Sequence, residues 1–173
     1  MKFLPALLGL ALLLAAGCAT KPKAPALTGD PMVDGRNAIA SGPPRDRVLW
    51  QYRVGLMAMR RGDYAEAKQH FDDAITRIGG IYSSDADARK ARSFFHAEAK
   101  KTFIGEPYER VMVYFYRGIL YWMDGEPDNA RACFRSAQFQ DADTETRTYA
   151  ADYILLDYLD GFASTTLGGD RAD

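Results

Sequence analysis

Two stretches of this chain share one pattern: YRVGLMAMRRGDYAEAKQHFDDA at residues 52–74 and FYRGILYWMDGEPDNARACFRSA at residues 115–137. In each stretch an aromatic residue is followed three positions later by a glycine and seven positions after that by a second glycine. The motif Ala-x-x-x-Phe-x-x-Ala comes next. Apolar residues recur at intervals of three and four, which indicates amphipathic helices. Each stretch therefore predicts two helices joined by a tight turn.

The two glycines of the pattern have different physical roles. Gly62 and Gly125 follow the first helix, where a left-handed backbone conformation often ends a helix and favours glycine. Gly55 and Gly118 lie in mid-helix, where glycine is unfavourable unless a neighbouring helix approaches closely. We therefore expect the two helices to cross at these glycines. Small residues and one phenylalanine of the second helix should fill each contact: Ala67, Phe71 and Ala74, then Ala130, Phe134 and Ala137.

This pattern is similar to the tetratricopeptide repeat, a helix–turn–helix unit of about 34 residues. The resemblance implies an all-α fold, a solenoid of tetratricopeptide-like (TPR-like) hairpins with about six helices. A third copy begins at Tyr158, with Gly161 and Gly168 at the same spacing, and its second helix is missing. We therefore expect a fragment of a longer protein. The alternative is a solvated capping helix, because terminal repeats are often atypical.

The repeats divide the region 46–173 into repeat 1 (46–79), an insert (80–106), repeat 2 (107–140) and a partial repeat 3 (144–173). Gly79 and Gly80 are expected to end the preceding helix, and Ser84 to cap an inserted helix over residues 85–100. An extended stretch over residues 102–109 should follow. The aromatic residues of this region are expected to pack on the hairpins, with a binding surface as the alternative: Phe94, Phe95, Phe103 and Tyr108.

The first eighteen residues predict where the protein works. Lys2 precedes an apolar run that ends in Ala16-Gly17-Cys18. Such a run is typical of a secretory signal peptide and is too short to be a good membrane span. Small residues directly before a cysteine resemble the bacterial lipobox, in which that cysteine is lipidated and becomes the new N-terminus. We therefore predict a signal peptide at 1–17 and a covalent lipid on Cys18. The alternative is ordinary cleavage nearby, for example after Ala19, which releases a soluble protein.

Residues 18–45 connect the predicted anchor to the helical domain. Ala19 after the cysteine implies, by resemblance to Gram-negative lipoproteins, sorting to the outer membrane with the domain facing the periplasm. Prolines and glycines are frequent over the rest of this segment, which predicts a tether. The short apolar groups at 32–33 and 38–40 could dock on the domain.

Composition and motifs argue against several classes of activity. The net charge of −1 disfavours nucleic-acid binding, which needs a basic surface. His70 and His96 lack ligand-type neighbours at metal spacing, so no metal site is expected. No phosphate loop, nucleophile elbow or Cys–His arrangement occurs, so no catalytic residues and no cofactor besides the lipid are expected. Cys133 lies on an apolar helix face and is interpreted as a small core residue.

The first helices of the hairpins carry the best candidate for a binding site. In tetratricopeptide domains these helices line the concave side, so the resemblance implies an apolar, aromatic groove that takes a peptide or a partner's helix. The alternative is that the insert or further repeats cover it. The predicted groove residues are Tyr52, Leu56, Met59, Phe115, Ile119, Trp122, Tyr158 and Phe162.

The run ARKARSFF at 88–95, the run GEPYERVM at 105–112 and the hairpin around Arg117-Gly118 resemble a family of bacterial envelope lipoproteins. These proteins carry TPR-type repeats and have no established biochemical activity, so the resemblance implies no catalytic residues. We expect a membrane-anchored scaffold or adaptor that binds an envelope protein or peptide, and not an enzyme. The alternative is a structural or regulatory subunit of an envelope machine for secretion, assembly or cell-wall synthesis, binding through the insert.

Overall fold

The computed structural model describes residues 26–83, 102–142 and 153–168. Within these ranges no strand occurs, which confirms the all-α prediction. A 3₁₀ turn at Pro44–Asp46 and six α-helices are present: α1 (Pro31–Ser41), α2 (Arg47–Arg61), α3 (Tyr64–Ser83), α4 (Pro107–Met123), α5 (Pro127–Ala142) and α6 (Ile154–Thr166). This set differs from the predicted one, because α1 was not expected and the predicted inserted helix lies outside the described residues. None of the described helices is long and apolar enough to cross a membrane.

Helix α1 corrects the prediction of a tether over the described part of residues 18–45. The Asp30 carboxylate accepts a hydrogen bond from the backbone N–H of Met32 at 2.8 Å and so caps the helix. Met32 is 1% exposed, and Ile39 packs against the same core, so each of the two apolar groups that could dock contributes a docked residue. Gly35 lies against Val54 of α2, because a Cβ built on it would come within 2.5 Å of the valine Cγ2 atom. Glycine here marks a close helix contact rather than an open linker.

The predicted turns of the two hairpins are confirmed. Gly62 ends α2 with φ +79°, and Gly125 follows α4 with φ +77°, both in the left-handed region. Asp63 caps α3 by accepting a hydrogen bond from the backbone N–H of Glu66 at 3.2 Å. Pro127 occupies the first position of α5, where its missing N–H is not needed. The turn chemistry therefore places each pair of helices side by side.

The close crossings at the mid-helix glycines are also confirmed. A Cβ built on Gly55 would lie 2.7 Å from Cε1 of Phe71, and a Cβ built on Gly118 would lie 2.6 Å from Cε1 of Phe134. Each glycine thus forms a notch that receives a phenylalanine ring of the following helix. The small residues beside both rings are fully buried: Ala67, Ala74, Ala130 and Ala137.

The borders of the insert differ from the prediction. Helix α3 runs through Gly79 and Gly80 to Ser83, because both glycines keep the helical backbone. Glycine weakens a helix by about 1 kcal/mol relative to alanine, which a long packed helix tolerates. Helix α4 begins earlier than expected, at Pro107, where Glu106 and Glu109 form a reciprocal capping box. Residues 84–101, with the predicted helix, Phe94 and Phe95, lie outside the described residues.

Ion pairs join consecutive hairpins at matching positions. Arg117 of α4 donates two hydrogen bonds to Asp72 of α3, at 2.7 and 3.1 Å. Arg135 of α5 donates to Asp160 of α6 at 3.1 Å. Arg117 and Asp160 directly precede the mid-helix glycines of their helices, and Asp72 and Arg135 directly follow the notch phenylalanines. Helix α6 therefore meets α5 through the positions that α4 uses to meet α3, with the charges reversed.

Candidate interaction surface

The eight predicted groove residues fall into three different environments. The first group lies at the core cluster formed by α1–α4: Tyr52 is a buried member, and the partly buried Leu56 and Met59 pack against it. Tyr52 is buried, and its hydroxyl donates a hydrogen bond to the carbonyl of Ile104 at 3.2 Å. Its ring meets Phe103 edge-on, with the ring centroids 6.1 Å apart. The end of the predicted insert, before α4, therefore covers the groove at Tyr52, which agrees there with the alternative that the insert covers the groove.

The second group links the core to the surface. Phe115, Ile119 and Trp122 are half-buried and pack against the cluster formed by α4, α5 and α6. The Trp122 ring lies nearly parallel to that of Phe162, with centroids 5.0 Å apart and planes 11° apart. Stacked aromatic pairs of this kind contribute about 0.5–1.5 kcal/mol beyond their buried area. Trp122 therefore fixes the position of an aromatic ring on α6.

The third group is exposed and is larger than the sequence suggested. Tyr158 is 68% exposed and Phe162 is 51% exposed, and their rings stack with centroids 6.4 Å apart. Ile154 at 76% and Leu155 at 51% extend the same surface, because intervals of three and four residues place side chains on one side of a helix. We call Ile154, Leu155, Tyr158 and Phe162 the α6 stripe. Sequence reasoning missed the first two of these residues.

Comparison with the two complete hairpins shows what is unusual about α6. Val48, Val111 and Ile154 each lie seven residues before the mid-helix glycine of their helices. Val48 and Val111 are 1% and 0% exposed, in contrast to Ile154. A Cβ built on Gly161 would meet no atom within 4 Å among the described residues. The surface that is covered in both hairpins therefore has no cover on α6 within the described residues. The repeat spacing of Ile154 is the signal that could have revealed it.

Polar and apolar contacts hold α6 on α5 from its other side. The Asp160 carboxylate accepts hydrogen bonds from Arg131 at 3.0 Å and Arg135 at 3.1 Å. Leu156 is buried in the cluster with residues of α4 and α5, and Ala163 of α6 is also fully buried. Because these contacts restrain the helix, the α6 stripe stands on a supported surface.

Arg117 is one of the buried charged residues of the described chain, and its contacts are structural. The Arg117 guanidinium lies 3.5 Å from the ring centroid of Tyr121 and is paired with Asp72. Burial raises the pKa of the nearby Cys133 thiol to about 11, which keeps it protonated near neutral pH. A protonated thiol is a poor nucleophile and a poor metal ligand. This arrangement fits the interpretation of Cys133 as a packing residue.

The described histidine lies in an ion-pair network. His70 is half-buried, with Nε2 3.5 Å from a carboxylate oxygen of Glu66. Glu66 also pairs with Arg36, whose hydrogen bond holds the pKa of the Glu66 carboxyl below its usual value. Over residues 26–83, 102–142 and 153–168, no three His, Cys, Asp or Glu side chains come together as a metal site would require. His96 lies outside the described residues.

Of three further predicted residues, one is confirmed, one is corrected and one lies outside the described residues. Phe103 packs on the core, as expected. Tyr108 was also expected to pack, and it is 57% exposed at the first turn of α4. Cys18, the predicted lipidation site, lies outside the described residues.

Comparison of the chain with protein-family models, with curated proteins and with solved structures returned no match. The resemblance to envelope lipoproteins therefore stays a prediction.

Proposed function

We propose that this protein is a lipid-anchored scaffold that binds another protein of the bacterial cell envelope through the α6 stripe. The observation that carries the proposal is the exposure of four large apolar side chains on one side of a single helix. Contiguous exposed apolar surface of this kind is typical of interaction sites. Aromatic residues such as Tyr158 and Phe162 supply much of the binding energy at protein interfaces.

Pre-organisation of the stripe supports the proposal further. Phe162 stacks on Trp122, and the ring centroids of Trp122 and the buried Phe134 are 6.4 Å apart. A partner that contacts Phe162 would thus meet a ring whose position is already restrained by packing. Binding to a restrained surface loses less conformational entropy than binding to a mobile one.

A TPR-like stack is the architecture that we propose for the helical region. The two glycine notches, the left-handed glycines at the turns and the equivalent ion pairs between hairpins all support it. Such stacks commonly present extended surfaces to protein partners.

The proposed anchor is the lipid on Cys18, with the domain at the periplasmic face of the outer membrane. Because α1 begins at Pro31, the chain from Cys18 to the folded region is short. At about 3.3–3.6 Å per residue, it spans at most roughly 45 Å. We therefore propose that the scaffold works close to the membrane surface.

The test is recovery of envelope partners by the membrane-bound protein after mild crosslinking. We expect Tyr158→Ala with Phe162→Ala to reduce partner recovery at least about tenfold, which is the effect of losing a binding hot spot. Tyr108→Ala is the matched control, because it removes an exposed aromatic ring outside the stripe. Trp122 is less suitable, because its ring also packs against the core.

Unchanged recovery with the double variant would contradict the proposal. Equal loss with Tyr108→Ala would also contradict it, because the effect would not belong to the stripe.

A further inference from the structure

We infer that the partner of the α6 stripe is an amphipathic helix with the pattern Ala-x-x-x-Phe-x-x-Ala, docked so that its phenylalanine ring covers Gly161. This inference rests on the proposed function and names the chemistry of the partner.

The two complete hairpins define what such a surface receives. Phe71 contacts Gly55 and Phe134 contacts Gly118, and both rings are almost fully buried. Alanines one turn before and one turn after each ring are also fully buried, so the second helix approaches closely along its length. The recurring contact is a phenylalanine ring seated on a bare backbone between two small residues.

Within the residues that the structure describes, helix α6 offers the same surface and no second helix lies against it. Gly161 has the position of Gly55 and Gly118, and a Cβ on it would meet no atom within 4 Å in the described part of the chain. Ile154 is exposed at the position where Val48 and Val111 are buried. Ile154 and Gly161 lie on the same side of α6, and each indicates that this side could receive another helix.

The glycine itself argues for an occupant. A mid-helix glycine destabilises a helix by about 1 kcal/mol relative to alanine. Gly55 and Gly118 offset that loss with a ring contact, and Gly161 has no comparable contact among the described residues. Docking of a phenylalanine ring would give Gly161 the same role.

A second copy of this chain fits the surface less well than a different helix. Its Phe71 and Phe134 are buried in their own hairpins. Among the described residues its exposed phenylalanines are Phe139 and Phe162, and Arg135 and Tyr158 stand where the pattern has its first alanine. A second copy would therefore have to present a stripe such as its own α6. Two such stripes would meet through large side chains, which prevents the close approach seen in the hairpins. The geometry therefore favours a heterologous helix.

The experiment uses a labelled synthetic peptide of residues 63–79 of this chain, because it carries Ala67, Phe71 and Ala74 in the required pattern. The peptide is titrated against the purified Cys18→Ser protein, and binding is followed by fluorescence anisotropy. We expect saturable binding, weakened at least about tenfold by Phe71→Ala in the peptide. Gly161→Leu in the protein should weaken binding to a similar extent, because the new side chain fills the notch.

Gly161→Leu is a suitable variant because no atom of the described residues lies within 4 Å of a Cβ at this position. Its melting temperature should not fall, and this measurement separates loss of the site from loss of the fold. Gly161→Leu also distinguishes docking on α6 from exchange of the peptide with α3 in its own hairpin, because exchange would not depend on residue 161.

Absence of saturable binding would overturn the inference, as would equal binding by the Phe71→Ala peptide. Concentration-dependent dimerisation that Gly161→Leu abolishes would make the occupant a second copy and would also overturn it. If the peptide does not bind while stripe variants still lose envelope partners, the helix chemistry is wrong and the proposed function stands. If Tyr158→Ala with Phe162→Ala leaves partner recovery unchanged, the proposed function is wrong, and the inference that rests on it is wrong too.

Discussion

At the scale of single residues, the meaning of a glycine depends on what faces it. Gly55, Gly118 and Gly161 hold the same position in the sequence pattern. The first two face phenylalanine rings at distances that leave no space for a Cβ, and the third faces open space within the described chain. Identical local sequence therefore has opposite consequences for substitution.

We expect Gly55→Ala and Gly118→Ala to lower the free energy of unfolding by about 1–2 kcal/mol. Crowding of a packed core costs about 1–3 kcal/mol, and improved helix propensity returns part of it. Gly161→Ala should instead raise stability by up to about 1 kcal/mol. Urea unfolding at constant m-value measures all three. A loss of stability in Gly161→Ala would show that this face is already covered in the free protein.

Cys133 predicts a specific dependence of stability on pH. Burial raises the pKa of its thiol to about 11, in contrast to about 8.5 for an unfolded thiol. Between these values the folded state keeps a proton that the unfolded state releases, so stability falls as pH rises. Below about pH 8 the effect disappears, because both states are protonated.

The measurement compares the Cys18→Ser protein with the same protein carrying Cys133→Ala. We expect the protein that keeps Cys133 to lose stability relative to the Cys133→Ala protein as the pH rises from about 8.5 to 11. Parallel pH profiles would contradict a half-buried thiol that stays protonated up to about pH 11. Slow alkylation of the folded Cys133 at pH 8 is the accompanying expectation.

At the scale of helices and hairpins, the α3–α4 and α5–α6 junctions place ion pairs at equivalent positions with the charges reversed. The Arg117 side chain is 8% exposed and its partner Asp72 is 49% exposed, so the pair is only partly screened by water. The Arg135–Asp160 pair places the opposite charges at the equivalent positions. The fold therefore accepts either polarity at this junction.

We expect Arg117→Asp to destabilise the protein by about 3–5 kcal/mol, because it leaves a buried charge facing a like charge. Adding Asp72→Arg should recover at least half of this loss, as the equivalent junction already uses that polarity. Recovery will be incomplete, because the Tyr121 ring also stabilises the Arg117 cation. Chemical unfolding of the four proteins of this double-mutant cycle gives the coupling. No recovery in the double variant would contradict the equivalence of the junctions.

Helix α1 makes its own prediction at this scale. Met32→Ala should lower stability by about 2–4 kcal/mol, because a large buried side chain leaves a cavity. Val33→Ala is the matched control, because Val33 is exposed beside it in the same helix. Equal and small effects in thermal unfolding would mean that this segment behaves as the tether that composition suggested.

At the scale of the whole molecule, the proposed anchoring and the proposed binding can be tested separately. Replacement of Cys18 by serine removes the proposed site of lipid attachment, and the described part of the chain has no membrane-spanning helix. We expect Cys18→Ser to move the protein from the membrane fraction to the periplasmic fraction without a change in melting temperature. Continued membrane fractionation would contradict lipidation at this residue.

The hairpins could be predicted from sequence because their signals are local. Gly62, Gly125 and Pro127 set backbone conformations that neighbouring residues alone require. Helix α1 and the length of α3 could not be predicted in this way. Gly35 and Gly79 both suggested breaks, and both lie inside helices, which packing and helix length stabilise against the weak propensity of glycine.

Burial is the property that only the tertiary structure decided. Tyr52 and Tyr158 occupy the same position of the repeat, and sequence alone placed both in one groove. Residues 103–105, distant in the chain, cover Tyr52, and no described segment covers Tyr158. Helix periodicity and turn chemistry are encoded by residues a few positions apart, so the sequence by itself determined the helical hairpins and their glycine notches. Exposure depends on segments brought together from far along the chain, so only the assembled fold turned part of the predicted groove into core and the α6 stripe into a surface.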